Sequence, residues 1–371
     1  MTAPIIDVHT HVLLPEVEAL VDQLDSEGLS AAKDLEVRRN GAESLASSGK
    51  MIRSRWPLLT DLPNRLAAMD AAGVDIQVVS PSPSHYYPFL AAEPAEEITR
   101  CINRSIRDLV AAAPTRLRGL GVAPLQHPEL MASMLTHAVG DCGLRGVEIG
   151  SFGAAPDGGQ AGTVELSDRR LDEFWSTAES LQAIVFVHPF GCSLDERLDR
   201  FYLANTVSQP AENAVALSHL IFAGVLDRYP DLTIVAAHGG GYLPTAIGRS
   251  DRAWAVRPEA RTCARPPSQY LSQLWFDSLT HDGGQLRELI RVAGSDRIVL
   301  GSDFPFDMGT ATPVEDLLAS GLTDQRTIEN VLRDNANRLL AVTSDASGID
   351  PIDTTHGRDA LPYCRGPFQT D

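Results

Sequence analysis

The sequence predicts an α/β protein whose strands and helices form a closed (β/α)8 TIM barrel. Short apolar runs alternate with amphipathic stretches, a pattern typical of parallel strands joined by crossover helices. There are eight such runs, the number of strands in a closed barrel. An open, doubly wound sheet is the alternative, but it requires a glycine-rich phosphate turn after the first strand. His9-Thr10-His11 stands in that place.

The individual strands and helices follow from these runs and from the residues at their boundaries. The predicted strands cover residues 5–9, 74–80, 117–124, 146–149, 183–188, 233–238, 274–278 and 298–303. Helices are predicted over 63–72, 93–113, 128–139, 169–181, 213–229, 285–292 and 324–340. Asp61, Ser167 and Thr323 are suitable N-caps, and Gly73 and Gly294 follow helix ends.

Two segments do not fit the alternation. Residues 12–60 form a long, polar and partly helical insertion after the first strand. Excursions of this kind lie over the catalytic face of a barrel, so the insertion is predicted to be a lid, with an interface as the alternative. Residues 343–371 are rich in Asp, Thr, Gly and Pro and are predicted to be a C-terminal tail. The barrel domain is therefore expected to span residues 1–342.

Charge and cysteine content exclude several classes of protein. The 49 acidic and 31 basic residues give a net charge of −18, which argues against nucleic acid or an anionic membrane as the main partner. No apolar run approaches the roughly 20 residues that cross a bilayer. The five scattered cysteines include no C-x-x-C pair, and no basic region precedes an apolar leader. These features favour a cytoplasmic protein with reduced thiols.

Polar side chains stand at the carboxyl ends of four predicted strands. His9 and His11 follow the first, and alternation along a strand points both side chains to the same face. His188, His238 and Asp303 end the fifth, sixth and eighth strands. All strand ends of a parallel barrel gather at one rim, where active sites lie. Histidines with an aspartate are typical ligands of a first-row divalent metal, so the sequence predicts a metal site there.

Longer motifs around these residues resemble a known family. The chain is similar, over about residues 4–341, to the amidohydrolase superfamily, in the branch of α-amino-β-carboxymuconate-ε-semialdehyde decarboxylase. The matching motifs are Ile6-Asp7-Val8-His9-Thr10-His11, Val187-His188-Pro189, Ala237-His238-Gly239-Gly240-Gly241 and Gly301-Ser302-Asp303-Phe304-Pro305-Phe306. The members of this branch are enzymes that depend on a metal, so the resemblance implies a metal-dependent enzyme.

The resemblance implies roles for the residues at the rim. His9, His11, His188 and Asp303 would hold one divalent metal, usually zinc and sometimes manganese. His238 would be the general acid/base beside the metal, and Asp303 is a second candidate for moving the proton. Imidazole suits such proton transfer near neutral pH.

Arginines are the expected partners of a substrate carboxylate because of their planar donor fork. Arg249 lies eleven residues after His238, as does an arginine that reaches across a dimer interface in the decarboxylase. This match implies a homodimer, although a surface salt bridge is the structural alternative. Arg53 or Arg55, late in the insertion, would match a second carboxylate-binding arginine.

Other residues near the predicted strand ends are candidates for lining or supporting the pocket. His85 and His281 follow the second and seventh strands. Asp277 and Ser278, at the end of the seventh strand, are candidates for orienting a histidine or a pocket water, and Asp7 is a candidate for supporting the ligand histidines from one step deeper in the first strand. Candidate walls for a flat organic acid are Tyr86, Phe190 and Phe304.

The fourth strand bears on the number of metals. Binuclear relatives carry a bridging carbamylated lysine or an acid on this strand, and the sequence here is Gly146-Val147-Glu148-Ile149, without lysine. A single metal is therefore expected, with Glu148 in a structural or pocket-lining role; bridging a second ion is the alternative for Glu148.

The residues at the rim are compatible with three functions. The first is a metal-dependent non-oxidative decarboxylase of an unsaturated or aromatic carboxylic acid. The second is a hydrolase or hydratase that uses the same site on a lactone, an amide, a C–C bond or a double bond. The third is a barrel that binds without catalysis, which the intact ligand set argues against.

Overall fold

The computed structural model describes residues 3–154, 162–191 and 195–345. Its strands lie close to the predicted positions, and a short antiparallel hairpin (β6 and β7) adds to them. The strands are β1 (Ile6–Val12), β2 (Ile76–Pro81), β3 (Leu117–Gly119), β4 (Gly121–Val122), β5 (Gly146–Ile149), β6 (Phe152–Gly153), β7 (Val164–Glu165), β8 (Ile184–Val187), β9 (Thr233–Ala236), β10 (Trp275–Asp277) and β11 (Ile298–Val299).

Apart from the β6–β7 hairpin, parallel pairing connects the strands in chain order. One run of the sheet is β1-β2-β3 and the other is β4-β5-β8-β9-β10-β11. β3 and β4 are successive pieces of one strand, since Leu120 lies between them and its N–H donates to the carbonyl of Val79 at 2.9 Å. The two runs therefore join through this strand.

The opposite edges of the sheet also meet. The N–H of Val8 donates to the carbonyl of Leu300 at 2.9 Å, and the N–H of Asp303 donates to the carbonyl of His9 at 2.9 Å. The N–H of His11 donates to the carbonyl of Phe304 at 2.7 Å. These bonds place the first strand beside the eighth and close the ring, which confirms the predicted (β/α)8 barrel.

The helices mostly follow the predicted alternation. They are α1 (Pro15–Leu24), α2 (Ser26–Asn40), α3 (Ala42–Thr60), α4 (Leu62–Ala72), α5 (Ala92–Ala112), α6 (Pro128–Thr136), α7 (Asp172–Ser180), α8 (Gln209–Phe222), α9 (Val225–Arg228), α10 (Leu243–Val256), α11 (Gly283–Ala293), α12 (Pro313–Ala319), α13 (Gln325–Glu329) and α14 (Asn335–Asp345). The helix predicted over 213–229 divides at Gly224, which has a left-handed φ of 65°. α10 and α12 lie outside the predicted set.

The insertion after β1 is almost entirely helical and comprises α1, α2 and α3. Val17 and Val21 of α1 are fully buried against the main core. The turn between α2 and α3 packs closely on the segment after β8. The approach at Gly41 leaves no room for a side chain, since an added Cβ would lie only 1.8 Å from the carbonyl oxygen of Asp199. Both segments follow carboxyl ends of barrel strands, so the insertion lies on that side of the barrel. Its function as a lid stays a prediction.

The barrel interior below the strand ends is filled by apolar side chains, which leaves polar chemistry to the rim. These buried residues are Ile6, Val8, Val78, Leu120, Ile184, Phe186, Val235, Ala237, Trp275, Val299, Ala336, Leu339 and Leu340. Within the described ranges, no helix is both long and apolar enough to cross a membrane. Of the predicted tail, residues 346–371 lie outside the described part of the chain, as do Cys192 and Cys364.

Candidate metal centre

The histidines of β1 and the aspartate after β11 meet at the rim. Nε2 of His9 lies 3.1 Å from Nε2 of His11. Oδ1 of Asp303 is 3.4 Å from Nε2 of His9 and 3.2 Å from Nε2 of His11. The bonds that close the barrel hold Asp303 beside β1, so barrel closure brings these ligands together across nearly 300 residues of sequence.

His188 and His238 complete the cluster. A nitrogen from each of His9, His188 and His238 and an oxygen of Asp303 all lie within 4.8 Å of one another. The ring of His188 is also 4.9 Å, centre to centre, from that of His11. All four histidines therefore lie around one point, and the division of roles between ligand and acid/base stays a prediction.

Several buried atoms of this cluster have no hydrogen-bond partner among the described residues. Within the described part of the chain, Nδ1 and Nε2 of His188 and Oδ1 of Asp303 are buried without a hydrogen-bond partner. Buried polar atoms are normally paired, so an unpaired group calls for an explanation such as an ion. Imidazole nitrogens and a carboxylate oxygen are the donors that first-row divalent metals bind. The residues present thus fit a divalent metal.

The backbone is strained where two of these side chains are presented. His238 has a φ of 54° and Asp303 a φ of 57°, both in the left-handed region that non-glycine residues rarely adopt. Such strain clusters at functional sites, where the surrounding structure holds it in place. The three residues after His238 are glycines that also have positive φ. This explains why the motif His-Gly-Gly-Gly marks the end of the sixth barrel strand.

Asp277, at the end of β10, orients His9. Its Oδ2 lies 2.6 Å from Nδ1 of His9 and accepts from the N–H of His238 at 2.8 Å. Burial opposes ionisation, but the hydrogen bond and charge of His9, together with His238 and the N–H of Gly239, outweigh it and lower the pKa of Asp277. With its Nδ1 held in this way, His9 directs Nε2 into the site. The structure agrees with the interpretation that Asp277 orients a histidine.

Asp7 supports the site from one step deeper in β1. Burial raises its pKa to about 6, although hydrogen bonds from Ser302 act in the opposite direction. Its carboxylate accepts from the Ser302 hydroxyl at 2.5 Å and from the Ser302 N–H at 3.1 Å. Asp7 therefore ties β1 to the residue before Asp303.

Arg65 of α4 is a buried residue that the sequence patterns do not reveal, since an arginine in an amphipathic helix is usually exposed. Its guanidinium donates to the carbonyl of His11 and, at 2.8 Å, to Oε1 of Gln77. It also lies 5.0 Å above the ring of Phe304. Burial lowers its pKa to about 9, with Asp7 acting in the opposite direction. Arg65 thereby braces the backbone that carries His11.

The predicted substrate-binding residues are placed less centrally. Both ring nitrogens of His85 face backbone groups, with Nε2 accepting from the N–H of Leu14 at 3.1 Å and Nδ1 lying 3.2 Å from the carbonyl of Ser82. This arrangement favours a structural role for His85. The ring of Phe304 packs on Arg65, whereas Phe306, whose ring centre is 5.3 Å from that of His11, lies nearer the site.

The predicted carboxylate-binding arginines lie on helix surfaces. Arg249 is exposed on α10 and Arg53 is exposed on α3. Arg55, also on α3, is half-buried, and His281 is exposed after β10. The roles of these residues in substrate binding stay predictions.

An aromatic pair stands beside His188. The rings of Tyr86 and Phe190 meet almost perpendicularly, with centres 6.1 Å apart. The hydroxyl of Tyr86 donates to Oε1 of Glu148 at 2.6 Å and lies 3.5 Å from the carbonyl of His188. Glu148 is fully buried, and burial raises its pKa. Its carboxylate is already occupied by protein donors, which supports its structural interpretation.

The barrel and the cluster at its rim define a class of metal-binding barrel proteins, and sequence comparison agrees with this. Residues 6–342 match the family model described as amidohydrolase. The chain therefore belongs to the amidohydrolase family, as the motifs predicted.

Several of the proteins that this chain resembles are decarboxylases. The 2-amino-3-carboxymuconate-6-semialdehyde decarboxylase of Dictyostelium discoideum is 30% identical over 93% of this chain and 92% of its own. A gamma-resorcylate decarboxylase of Polaromonas sp. strain JS666 is 28% identical over 71% of this chain and 85% of its own. The fold resembles that of a dihydroxybenzoic acid decarboxylase from Polaromonas sp. JS666, solved with manganese and 2-nitroresorcinol. That structure has a TM-score of 0.73 and 23% identity and covers 94% of this chain and 100% of its own.

Proposed function

We propose that this protein is a carboxy-lyase that removes CO2, without oxidation, from an unsaturated or aromatic carboxylic acid. The observation that carries the proposal is the cluster of histidines around Asp303, in which buried atoms of His188 and Asp303 have no hydrogen-bond partner in the part of the chain that the structure describes. The similarity to named decarboxylases over nearly the whole chain supports the choice of reaction.

His9, His11, His188 and Asp303 are the residues proposed to hold one divalent metal. Zinc is the proposed ion, with manganese, which the similar Polaromonas structure contains, as the alternative. When bound, such an ion supplies positive charge that stabilises negative charge developing on the substrate and acidifies coordinated water.

His238 is proposed to move the proton that decarboxylation requires, because the C–CO2 bond of the substrate is replaced by a C–H bond. Its side chain is 15% exposed, which allows contact with a substrate in the mouth of the barrel. Its Nε2 lies 3.8 Å from Oδ2 of Asp303, which is near but beyond hydrogen-bond distance, and Asp303 is the second candidate for moving the proton. The Asp277 carboxylate fixes the backbone of His238 and thereby its position.

The substrate carboxylate is proposed to be bound by arginine. Arg249 is exposed on α10, so it would complete the site of a second copy in a homodimer. Arg53 would act from the same chain. His85 and Phe304 stay candidates for lining the pocket rather than for binding the carboxylate. We expect a dimer in sedimentation velocity that persists on dilution to low micromolar concentration. A monomer at every concentration would contradict the role of Arg249. The buried cysteines Cys142 and Cys263, which form no disulfide within the described residues, support a cytoplasmic location.

Product analysis tests the reaction directly. Metal-reconstituted protein is incubated with γ-resorcylate and with 2-amino-3-carboxymuconate-6-semialdehyde in water enriched in ¹⁸O. We expect one equivalent of CO2 for each substrate molecule consumed and a proton in its place, with no such release by the metal-free protein. Incorporation of ¹⁸O into an organic product without CO2 release would instead identify a hydrolase or hydratase.

A further inference from the structure

We infer that Ser80 and Glu148 are positioning residues of the metal centre, which act on His11 through a hydrogen-bond relay that sets its tautomer. Ser80, of β2, is paired in register with His11 of β1. Glu148 lies on β5, two strands further round the barrel. The inference rests on the proposed metal site and adds residues to it that are not ligands.

The relay begins at Nδ1 of His11, the nitrogen that faces away from the cluster. Oγ of Ser80 lies 3.3 Å from this atom. The carbonyl of Pro81 is 3.4 Å away and Oε2 of Glu148 is 3.7 Å away. Oγ of Ser80 in turn lies 2.5 Å from Oε2 of Glu148, closer than its other acceptor, the carbonyl of Thr10 at 3.2 Å.

The direction of each bond follows from the chemistry of the groups. A carboxylate only accepts, so the single hydroxyl proton of Ser80 points to Glu148. A lone pair of Oγ is then left to accept from Nδ1–H of His11. The phenol of Tyr86 donates to the other carboxylate oxygen, Oε1, at 2.6 Å. Every buried donor in the relay therefore has an acceptor, which is the condition under which a buried polar network is stable.

The consequence is a defined tautomer. With the proton on Nδ1, the lone pair of His11 lies on Nε2, which faces Nε2 of His9 and Oδ1 of Asp303 at 3.1 and 3.2 Å. Ligand histidines commonly donate their second N–H to a carboxylate, which fixes the ring and raises its basicity. Asp277 does this directly for His9, and Glu148 does it for His11 through Ser80.

Burial is consistent with this role. His11 and Glu148 have no exposed surface and Ser80 is 1% exposed. A carboxylate in such a place costs free energy unless it is fully hydrogen-bonded. The two hydroxyl donors provide those bonds, and they account for an acid on the fourth barrel strand without a second metal.

The test measures metal affinity rather than turnover. Zn²⁺ affinity is determined by chelator competition for the full chain and for Ser80→Ala, Glu148→Ala and Glu148→Gln. We expect about 10–100-fold weaker binding for the two alanine variants, the usual effect of losing such a partner. Glu148→Gln should stay within about threefold of the unchanged protein, because its amide oxygen can still accept from Ser80. Ser105→Ala is the matched control. Ser105 is also a buried serine that donates a hydrogen bond to a glutamate, Glu16, but it lies on α5 and outside the relay.

A spectroscopic measurement accompanies the affinities. In the Co²⁺-loaded protein, the Nδ1–H of His11 should give a shifted, slowly exchanging proton resonance that survives in Glu148→Gln and is lost in Ser80→Ala. Unchanged affinity and an unchanged resonance in Ser80→Ala would overturn the inference while leaving the proposed function intact. Equal weakening in Glu148→Gln and Glu148→Ala would overturn it as well. Failure of the unchanged protein to bind Zn²⁺ or Co²⁺ would instead refute the proposed metal centre.

Discussion

Replacing Asp303 by alanine is expected to abolish both metal binding and decarboxylation. Asp303 is the anionic member of the proposed ligand set, and its Oδ1 lies 3.4 and 3.2 Å from Nε2 of His9 and of His11. Without it, neutral imidazoles alone would face the ion in a buried site. We expect metal affinity to fall by more than the roughly 100-fold lost when a supporting residue is removed. Metal analysis after dialysis, together with turnover, measures the effect, and His9→Ala should behave in the same way.

The matched control is Asp296→Ala. This variant removes an aspartate whose side chain is 58% exposed and which lies in the short 3₁₀ helix Ser295–Arg297 before β11. This variant should keep the metal and the activity of the unchanged protein. Full metal occupancy and normal turnover in Asp303→Ala would show that the ligand assignment is wrong.

Replacing His238 by alanine is expected to separate chemistry from metal binding. The variant should keep its metal, because His9, His11, His188 and Asp303 remain, whereas kcat should fall by about 10²–10⁴-fold, the usual contribution of a general acid/base. Metal content and kcat measured on the same preparation test this expectation.

His219→Ala is the control for His238, because it removes a histidine of α8 that bonds to Ser167 outside the cluster. We expect His219→Ala to keep the metal content and the kcat of the unchanged protein. The comparison also decides between two roles for His238, because His238 and His188 both belong to the group whose ligand atoms lie within 4.8 Å of one another. Loss of metal together with activity in His238→Ala would make His238 a ligand.

Much of the barrel could be predicted because its signals are local. Buried parallel strands are short apolar runs, and the polar residues that follow them stand next to these runs in the sequence. His9, His188, His238 and Asp303 could therefore be placed at one rim once eight strands had been counted. Helices with capping residues, such as α4 after Asp61, were predicted for the same reason.

Other features could not be predicted, because they depend on contacts between distant segments. α10 follows the glycine-rich turn directly and lacks a side-chain cap, so its start carries little signal. His85 follows a strand like the candidate ligands do, yet its ring nitrogens face the backbone near α1. Arg65 is buried only because the carbonyl of His11 and the ring of Phe304 surround it.

The sequence by itself determined the fold class, the family and the set of metal-binding candidates, because apolar periodicity and short motifs are properties of neighbouring residues. Only the tertiary structure decided how those candidates are supported. Asp277 reaches His9 directly, whereas Glu148 reaches His11 through Ser80. The physical reason is that a hydrogen bond needs two atoms within about 3 Å. Closure of the barrel, which no local pattern encodes, is what brings residues hundreds of positions apart to that distance.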